Sequence, residues 1–169
     1  MVPKVKIAPI HGEGIRLRLL LEKDLPMTLG WRNKERIRVW FKSSNLLEFE
    51  NHSIWFHDYQ QRENDFLFVI EVLEDSIFKP VGQVGIYDID YEKMEGEFGR
   101  LMIGEDSALG KGYAARATKS LLEFFRKVHH LKSFKLEVKE DNKSAIRIYE
   151  SVGFQAKHKD GNLLLMMLS

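Results

Sequence analysis

Apolar and polar side chains alternate from Ile15 to Leu21, with Ile15, Leu17, Leu19 and Leu21 set against Arg16 and Arg18, the period of a half-buried strand. The spacing then lengthens. Asp24-Leu25-Pro26 places a capping residue and a proline at the start of a helix running toward Trp31, and Arg36 to Phe41 forms a second helix. A third, from Asn51 to Gln61, carries His52, Trp55, Phe56 and Tyr59 at i, i+3, i+4 and i+7, an aromatic stripe on one face. Phe66 to Leu73 predicts a buried strand and Pro80 to Tyr87 another, while the polar, acidic Asp88 to Gly96 predicts a hairpin connection.

The second half repeats a different rhythm. Phe98 to Ile103 predicts a strand, followed by a glycine loop and a helix to about His129. That helix has a core stripe of Ala114, Thr118, Leu121, Leu122, Phe125 and Val128, and Arg126, Lys127, His129 and His130 suit its C-terminal dipole. Phe134 to Val138 predicts a strand, Lys143 to Val152 a helix stopped by Gly153, and Phe154 to Lys159 and Leu163 to Leu168 a pair of strands around the turn Asp160-Gly161-Asn162. Antiparallel strands followed by β–α–β–α–β predict one α/β (α+β) domain over residues 1–169, a mixed central sheet of about seven strands flanked by helices. A terminal strand with an exposed edge would suit a homodimer.

Composition narrows the chemistry. The 169 residues include 26 basic and 25 acidic side chains, so no global basic field argues for nucleic acid, and a charged partner must be met locally. Without cysteine there is no disulfide, no thiolate catalysis and no cysteine-ligated zinc. The six histidines form no His-Glu-x-x-His pair, so no metal is expected. The first residues carry charges and a proline without a long apolar run, and no window approaches the ~18 apolar residues of a spanning helix, so a cytoplasmic, non-membrane protein is expected. The acidic run Asp88, Asp90, Glu92, Glu95 and Glu97 is no calcium loop, since Lys93 sits where that loop needs Gly; it reads as a solvated hairpin or as a mild attraction for a cationic acceptor.

Two stretches carry candidate chemistry. In Leu109-Gly110-Lys111-Gly112-Tyr113-Ala114, glycines at the mouth of a helix let backbone N–H groups approach an anion, and the helix dipole favours negative charge there. No Asp or Glu occurs from Ser107 to Leu122, while Lys111, Arg116 and Lys119 crowd the helix start, a cost that a bound phosphate would reverse. The second stretch runs from Asp141 to Phe154. Asp141 or Asn142 can cap its helix, and Asn142 and Tyr149 lie two turns apart on roughly one side.

Together these stretches, over roughly Glu97 to Phe154, resemble the GNAT superfamily of acetyl-CoA-dependent N-acetyltransferases. That family's loop usually reads Gln/Arg-x-x-Gly-x-Gly/Ala; Gly112 and Ala114 match, and Leu109 stands where Gln or Arg is usual. The second motif, Asn142 to Ala145 with Tyr149 to Gly153-Phe154, shows no departure. The resemblance implies a splayed parallel strand pair, with the coenzyme A pyrophosphate on the N–H groups of Gly110 to Ala114, assisted by Lys111 and Arg116. It implies pantetheine pairing along Met102, Ile103 and Gly104 in the manner of an added strand. Tyr149 would protonate the leaving thiolate, and Glu97, or secondarily His52, would take the proton of the attacking amine.

Trp31, Arg32, His52 and Trp55 fall on the helices that form the acceptor side in that superfamily. A Trp-Arg-Asn helix, followed by Arg36 and Arg38 and a downstream His-x-x-Trp, is similar to the branch acting on nucleotide-linked amino sugars. Ribosomal-protein N-termini and polyamines are alternative amine acceptors, and a non-catalytic acyl-CoA sensor is the alternative outside enzymology. A dinucleotide fold, which Gly110-Lys111-Gly112-Tyr113-Ala114-Ala115 also matches, lacks the chain length after the loop to complete its sheet.

Overall fold

A computed structural model describes residues 4–169. Its sheet has eight strands: β1 Ile10–Gly12, β2 Ile15–Leu19, β3 Phe66–Glu74, β4 Ile77–Asp90, β5 Glu95–Ile103, β6 Ser133–Lys139, β7 Gln155–Asp160 and β8 Leu163–Leu168. The helices are α1 Leu25–Arg32, α2 Glu35–Arg38, α3 Phe49–Gln60, α4 Tyr113–Val128 and α5 Lys143–Ser151. Strand order is β1-β2-β3-β4-β5-β6-β8-β7, antiparallel throughout except for the central pair β5–β6.

The expected mixed α/β domain is therefore present, with one strand more than the alternation announced. β1 is short and pairs only with β2, so it leaves little periodic signal. The polar stretch Asp88 to Gly96 is mostly strand rather than connection, because β4 runs on to Asp90 and β5 begins at Glu95. The chain's last strand is not an edge either: β8 lies between β6 and β7, and the exposed edge belongs to β7. Every residue of β7 is exposed, and Lys157 and Lys159 charge it, a feature that opposes strand-to-strand association.

β3 shows why its sequence reads as a continuous apolar run. Phe66, Phe68, Ile70 and Val72 join the core beneath α4, while Leu67 and Val69 pack with Leu20, Leu25, Phe56 and Tyr59 beneath α1 and α3. Both faces of the strand are buried, so the usual alternation disappears. On α4, Ala117, Thr118, Leu121, Leu122 and Phe125 are buried, but Val128 is 56% exposed where the helix outruns the sheet. Burying each of the larger of these side chains contributes about 1.5–3 kcal/mol.

Asp24 does not cap α1 as its position suggested. Its carboxylate instead accepts from the Leu21 N–H at 2.9 Å and takes the Arg18 guanidinium at 2.7 and 2.9 Å, and Arg18 continues to Glu71 at 2.8 Å. This half-buried network fastens the start of the α1–α3 layer to β2 and β3. Among the described residues, no helix is long and apolar enough to cross a membrane.

Candidate active site

The site follows from a failure of pairing. β5 and β6 are in register only over Glu95–Glu97 and Ser133–Lys135, although β5 continues to Ile103 and β6 to Lys139. Beyond Glu97, β6 stays with β8 and β5 with β4, so the two parallel strands part. A cleft of about 800 Å³ opens there, bounded by both strands, the glycine loop, α5 and the segment around α2.

At one end of the cleft the wall is main chain. Gly110 and Gly112 have φ of +73° and +79°, a conformation L side chains rarely adopt. Gly112 caps α4 and offers no side chain to the helix's first amides, and the first turn holds no acid. Among the described residues, no protein acceptor meets the N–H groups of Gly110, Gly112, Tyr113, Ala114 or Ala115, all of which line the cleft. Lys111 and Arg116 are not among the residues that line the cleft. Arg116 donates to the carbonyls of Lys111 at 2.6 Å and Glu13 at 3.0 Å, so it braces the loop against the β1–β2 turn.

The β5 wall offers main-chain groups in alternation. The Gly104 N–H donates to Val81 at 2.7 Å, and the Met102 carbonyl lies hard against Gly82, so both residues turn their polar groups to β4. Ile103, and Leu101 by strand alternation, face the gap. Arg36, which donates at 3.0 Å to the Ile103 carbonyl and at 3.0 Å to that of Gly104, reaches across from α2. Of the three residues expected to meet the pantetheine arm, Met102 and Ile103 line the cleft, as does Leu101, and Gly104 does not. A side chain at Gly104 would overlap the indole of Trp31.

Tyr149 and Glu97 meet in this cleft. Asn142, settled as the α5 cap by its Oδ1 accepting from Ala145 N–H at 3.2 Å, also lines it. Tyr149 is buried between Phe98 and Phe154, with ring centroids 5.8 and 6.0 Å away. Burial pushes its phenol up to about 12, and no protein hydrogen bond engages the hydroxyl among the described residues. Glu97 is half-buried, and its carboxyl is raised above the usual range first by burial and then by the neighbouring charges of Glu137 and Asp88, against the pull of Lys135 and Lys42.

Sequence reasoning missed Tyr87, Arg100 and Glu137, which also line the cleft. Tyr87 is the cross-strand partner of Glu97, and Glu137 lies two residues beyond its other partner, Lys135. Strand register would have found both, had Asp88 to Gly96 been read as strand. The acidic run itself divides: Asp88 and Glu97 reach the cleft, while Asp90 accepts the amides of Glu92 and Lys93 at the hairpin tip and Glu95 pairs with Lys135 at 3.3 Å. No group of three or more metal-binding side chains occurs among the described residues.

Of the four acceptor-side residues expected, only Arg32 lines the cleft. Trp31 is buried, donating its indole N–H to Glu105 at 2.8 Å. His52 stacks on Trp55 at 5.4 Å and sits 3.3 Å from the Thr28 hydroxyl; burial, and next the charge of Arg32, lower its pKa. Trp55 in turn stacks on Tyr59 at 5.3 Å. Arg32 is buried, lies over Phe41 at 3.9 Å and donates to the Ser43 carbonyl at 2.6 Å. Its Nη1 and the Nε of nearby Arg38 are buried without a hydrogen-bond partner among the described residues. Burial and the charge of Arg38 lower the pKa of Arg32, and no carboxylate offsets them.

The cleft thus brings a splayed parallel pair, an amide-lined helix mouth and a buried tyrosine together in one mixed sheet. The acetyltransferase (GNAT) domain model matches residues 15–155. The chain belongs to the GNAT family of acetyltransferases. An uncharacterized protein of Methanocaldococcus jannaschii is 25% identical over 146 residues, 86% of this chain; the chain spans only 29% of that relative's length. Apo FdhC, a nucleotide-linked sugar GNAT, shares 20% identity at a TM-score of 0.81, covering 97% of this chain and 90% of that one. Spermidine N-acetyltransferase from Vibrio cholerae, solved with CoA and spermine, shares 21% at 0.80, covering 92% and 95%.

Proposed function

We propose that this protein moves an acetyl group from acetyl-CoA to the primary amine of an acceptor that also carries an anionic group, of the kind presented by a nucleotide-linked amino sugar. The thioester supplies an acyl group already activated toward amines, so no covalent enzyme intermediate is required. The unpartnered amides from Gly110 to Ala115 suit the coenzyme's pyrophosphate, and the β5 edge around Leu101, which β6 leaves uncovered, suits its pantetheine arm. Glu97 takes a proton from the acceptor ammonium, directly or through water; the amine nitrogen attacks the thioester carbon, and the C–S bond breaks. Tyr149, held protonated by burial, gives its proton to the departing thiolate, leaving an amide and a free thiol. The nitrogen of the tetrahedral intermediate gives up its second proton, which restores Tyr149 through water, and Glu97 releases the first to solvent.

The observation that carries the acceptor class is the pair of buried guanidinium nitrogens without partners, Arg32 Nη1 and Arg38 Nε. Leaving such groups unmatched costs free energy, and an anion would offset that cost. Arg32 lines the cleft together with Asp88, Glu97 and Glu137, so it suits a molecule with an amine at one end and a phosphate at the other, with Arg38 adding charge from behind Arg32. A polyamine would match the acids but not the arginines.

The test is thiol release from acetyl-CoA against a panel of nucleotide-linked amino sugars, N-terminal peptides and spermidine. The amino sugars are expected to give the highest kcat/KM, with Arg32→Met raising their KM about tenfold or more, the worth of a charged hydrogen bond. Faster turnover of spermidine or a peptide, or an unchanged KM in Arg32→Met, would overturn the acceptor assignment.

A further inference from the structure

β5 carries a non-glycine residue in the left-handed region at the place where the strands part: Arg100 has φ of +55°. It occupies a break in register with β4, where Gly99 faces Gly85 and Met102 faces Gln83. Residues 99 and 102 are an odd number of positions apart, yet the carbonyls of both lie against β4 glycines. A regular strand cannot do this, and the extra residue forms a bulge. An arginine has no intrinsic reason to hold such a backbone, since only glycine does so without strain.

The side chain of Arg100 is held from several directions. Its guanidinium makes a two-point ion pair with Asp65 at 2.6 and 3.2 Å, and Asp65 is fully buried at the entry to β3. The same group lies 4.2 Å from the ring centre of Tyr87 and 5.6 Å from that of Trp55. The Arg100 carbonyl accepts from the buried amide of Gln83 at 3.1 Å. Tyr87, finally, lies across Gly99, where any side chain would collide with its hydroxyl.

We infer that the Arg100–Asp65 pair pins the β5 bulge in its strained conformation, so that the Leu101 amide is aimed at the thioester carbonyl before acetyl-CoA arrives. Arg100 is a positioning residue here, acting through the backbone it holds. The inference rests on the acetyl-CoA-dependent reading above. It also gives Trp55 a use beyond packing: its ring is one wall of the slot that holds the guanidinium.

The test needs no acceptor. Acetyl-CoA labelled with carbon-13 at the thioester carbonyl is bound to the wild type and to Arg100→Ala, Arg100→Gly and Asp65→Asn, and the carbonyl stretch is read by isotope-edited infrared spectroscopy. Calorimetry measures affinity in parallel. In the wild type the band is expected below its position in free acetyl-CoA, as an amide donor polarises the carbonyl. Arg100→Ala keeps the strain but loses the pin, and Asp65→Asn weakens the pin with Arg100 in place. In both, the band should move most of the way back while acetyl-CoA affinity stays close to wild type. Arg100→Gly needs no pin to hold a positive φ, so its band should stay nearer the wild-type position than that of Arg100→Ala. A wild-type band in Arg100→Ala or Asp65→Asn, or equal loss in the Ala and Gly variants, would overturn the pin while leaving the cofactor assignment intact. Failure of the wild type to bind acetyl-CoA would overturn both.

Discussion

The two ends of the cleft are built from different materials. The end proposed for the cofactor is backbone: the glycine loop, the first turn of α4 and the edge of β5 offer N–H groups whose positions depend on φ and on strand register. The end proposed for the acceptor is side chain: Arg32, Asp88, Glu97 and Glu137 come from α1, β4, β5 and β6, and no local stretch contains more than two of them. A backbone site can be written into a few consecutive residues, whereas a side-chain site exists only once the sheet has formed. Substitutions should respect that division, changing acetyl-CoA affinity at one end and acceptor recognition at the other, with Tyr149 between them.

Tyr149 should give the largest effect. Tyr149→Phe removes only a hydroxyl that makes no protein hydrogen bond, so packing against Phe98 and Phe154 should survive. Loss of a general acid lowers turnover by roughly a hundredfold or more. Steady-state kinetics should show that fall in kcat, with calorimetric affinity for acetyl-CoA nearly unchanged. Equal losses in kcat and affinity would show that Tyr149 holds the coenzyme rather than serving the leaving group, and the division between the two ends would blur.

Gly112→Ala comes next and tests the backbone end directly. An added methyl would meet only the distant Arg116 guanidinium, so crowding is not the issue; the φ of +79° is. A left-handed conformation costs a non-glycine residue about 1–2 kcal/mol, and rotating out of it would turn the α4 amides from the cleft. Acetyl-CoA affinity should fall about tenfold, with the acceptor KM unmoved, as read by calorimetry and steady-state kinetics. A fall in acceptor affinity alone would reverse the assignment of the two ends.

This contrast also explains what could be read from the sequence. Gly110, Gly112, Asn142 and Tyr149 were legible because their spacing within single elements carries their geometry. The sheet was legible for the same reason, from alternation on β2 and periodicity on α4. Glu97 was found from its place at the start of a strand, but its neighbours Tyr87 and Glu137 become neighbours only through cross-strand register, which composition does not encode. The polar residues from Asp88 to Gly96 hid two strand ends, since strands that border a cleft need not be apolar. Trp31 and His52 misled in the opposite direction: aromatic spacing on a helix signals a buried face, and here that face meets the sheet.

The smallest expected effect is the most specific to the acceptor end. Glu97 is raised by burial and then by Glu137 and Asp88, so its proton is held more tightly in the fold than in the unfolded chain. A carboxyl shifted this way contributes stability that is present below its unfolded pKa and lost as pH rises through the folded value. The ionised form needed to accept a proton is thus the form the fold disfavours, and kcat/KM should rise with pH through a value above the ordinary glutamate range. Glu137→Gln removes the second cause and frees Lys42, its partner at 3.0 Å, to favour the carboxylate further. Both changes act in the same direction. The acidic limb of the pH–rate profile should therefore move to lower pH and activity on that limb should gain roughly a few-fold, while burial keeps the limb above that of an exposed glutamate. Affinity for acetyl-CoA should not change. A limb that stays in place in Glu137→Gln but disappears in Glu97→Gln would keep Glu97 as the base and remove Glu137 from its environment. A limb that survives in Glu97→Gln would assign the proton transfer to another group and leave the acids of the cleft to attract the amine alone.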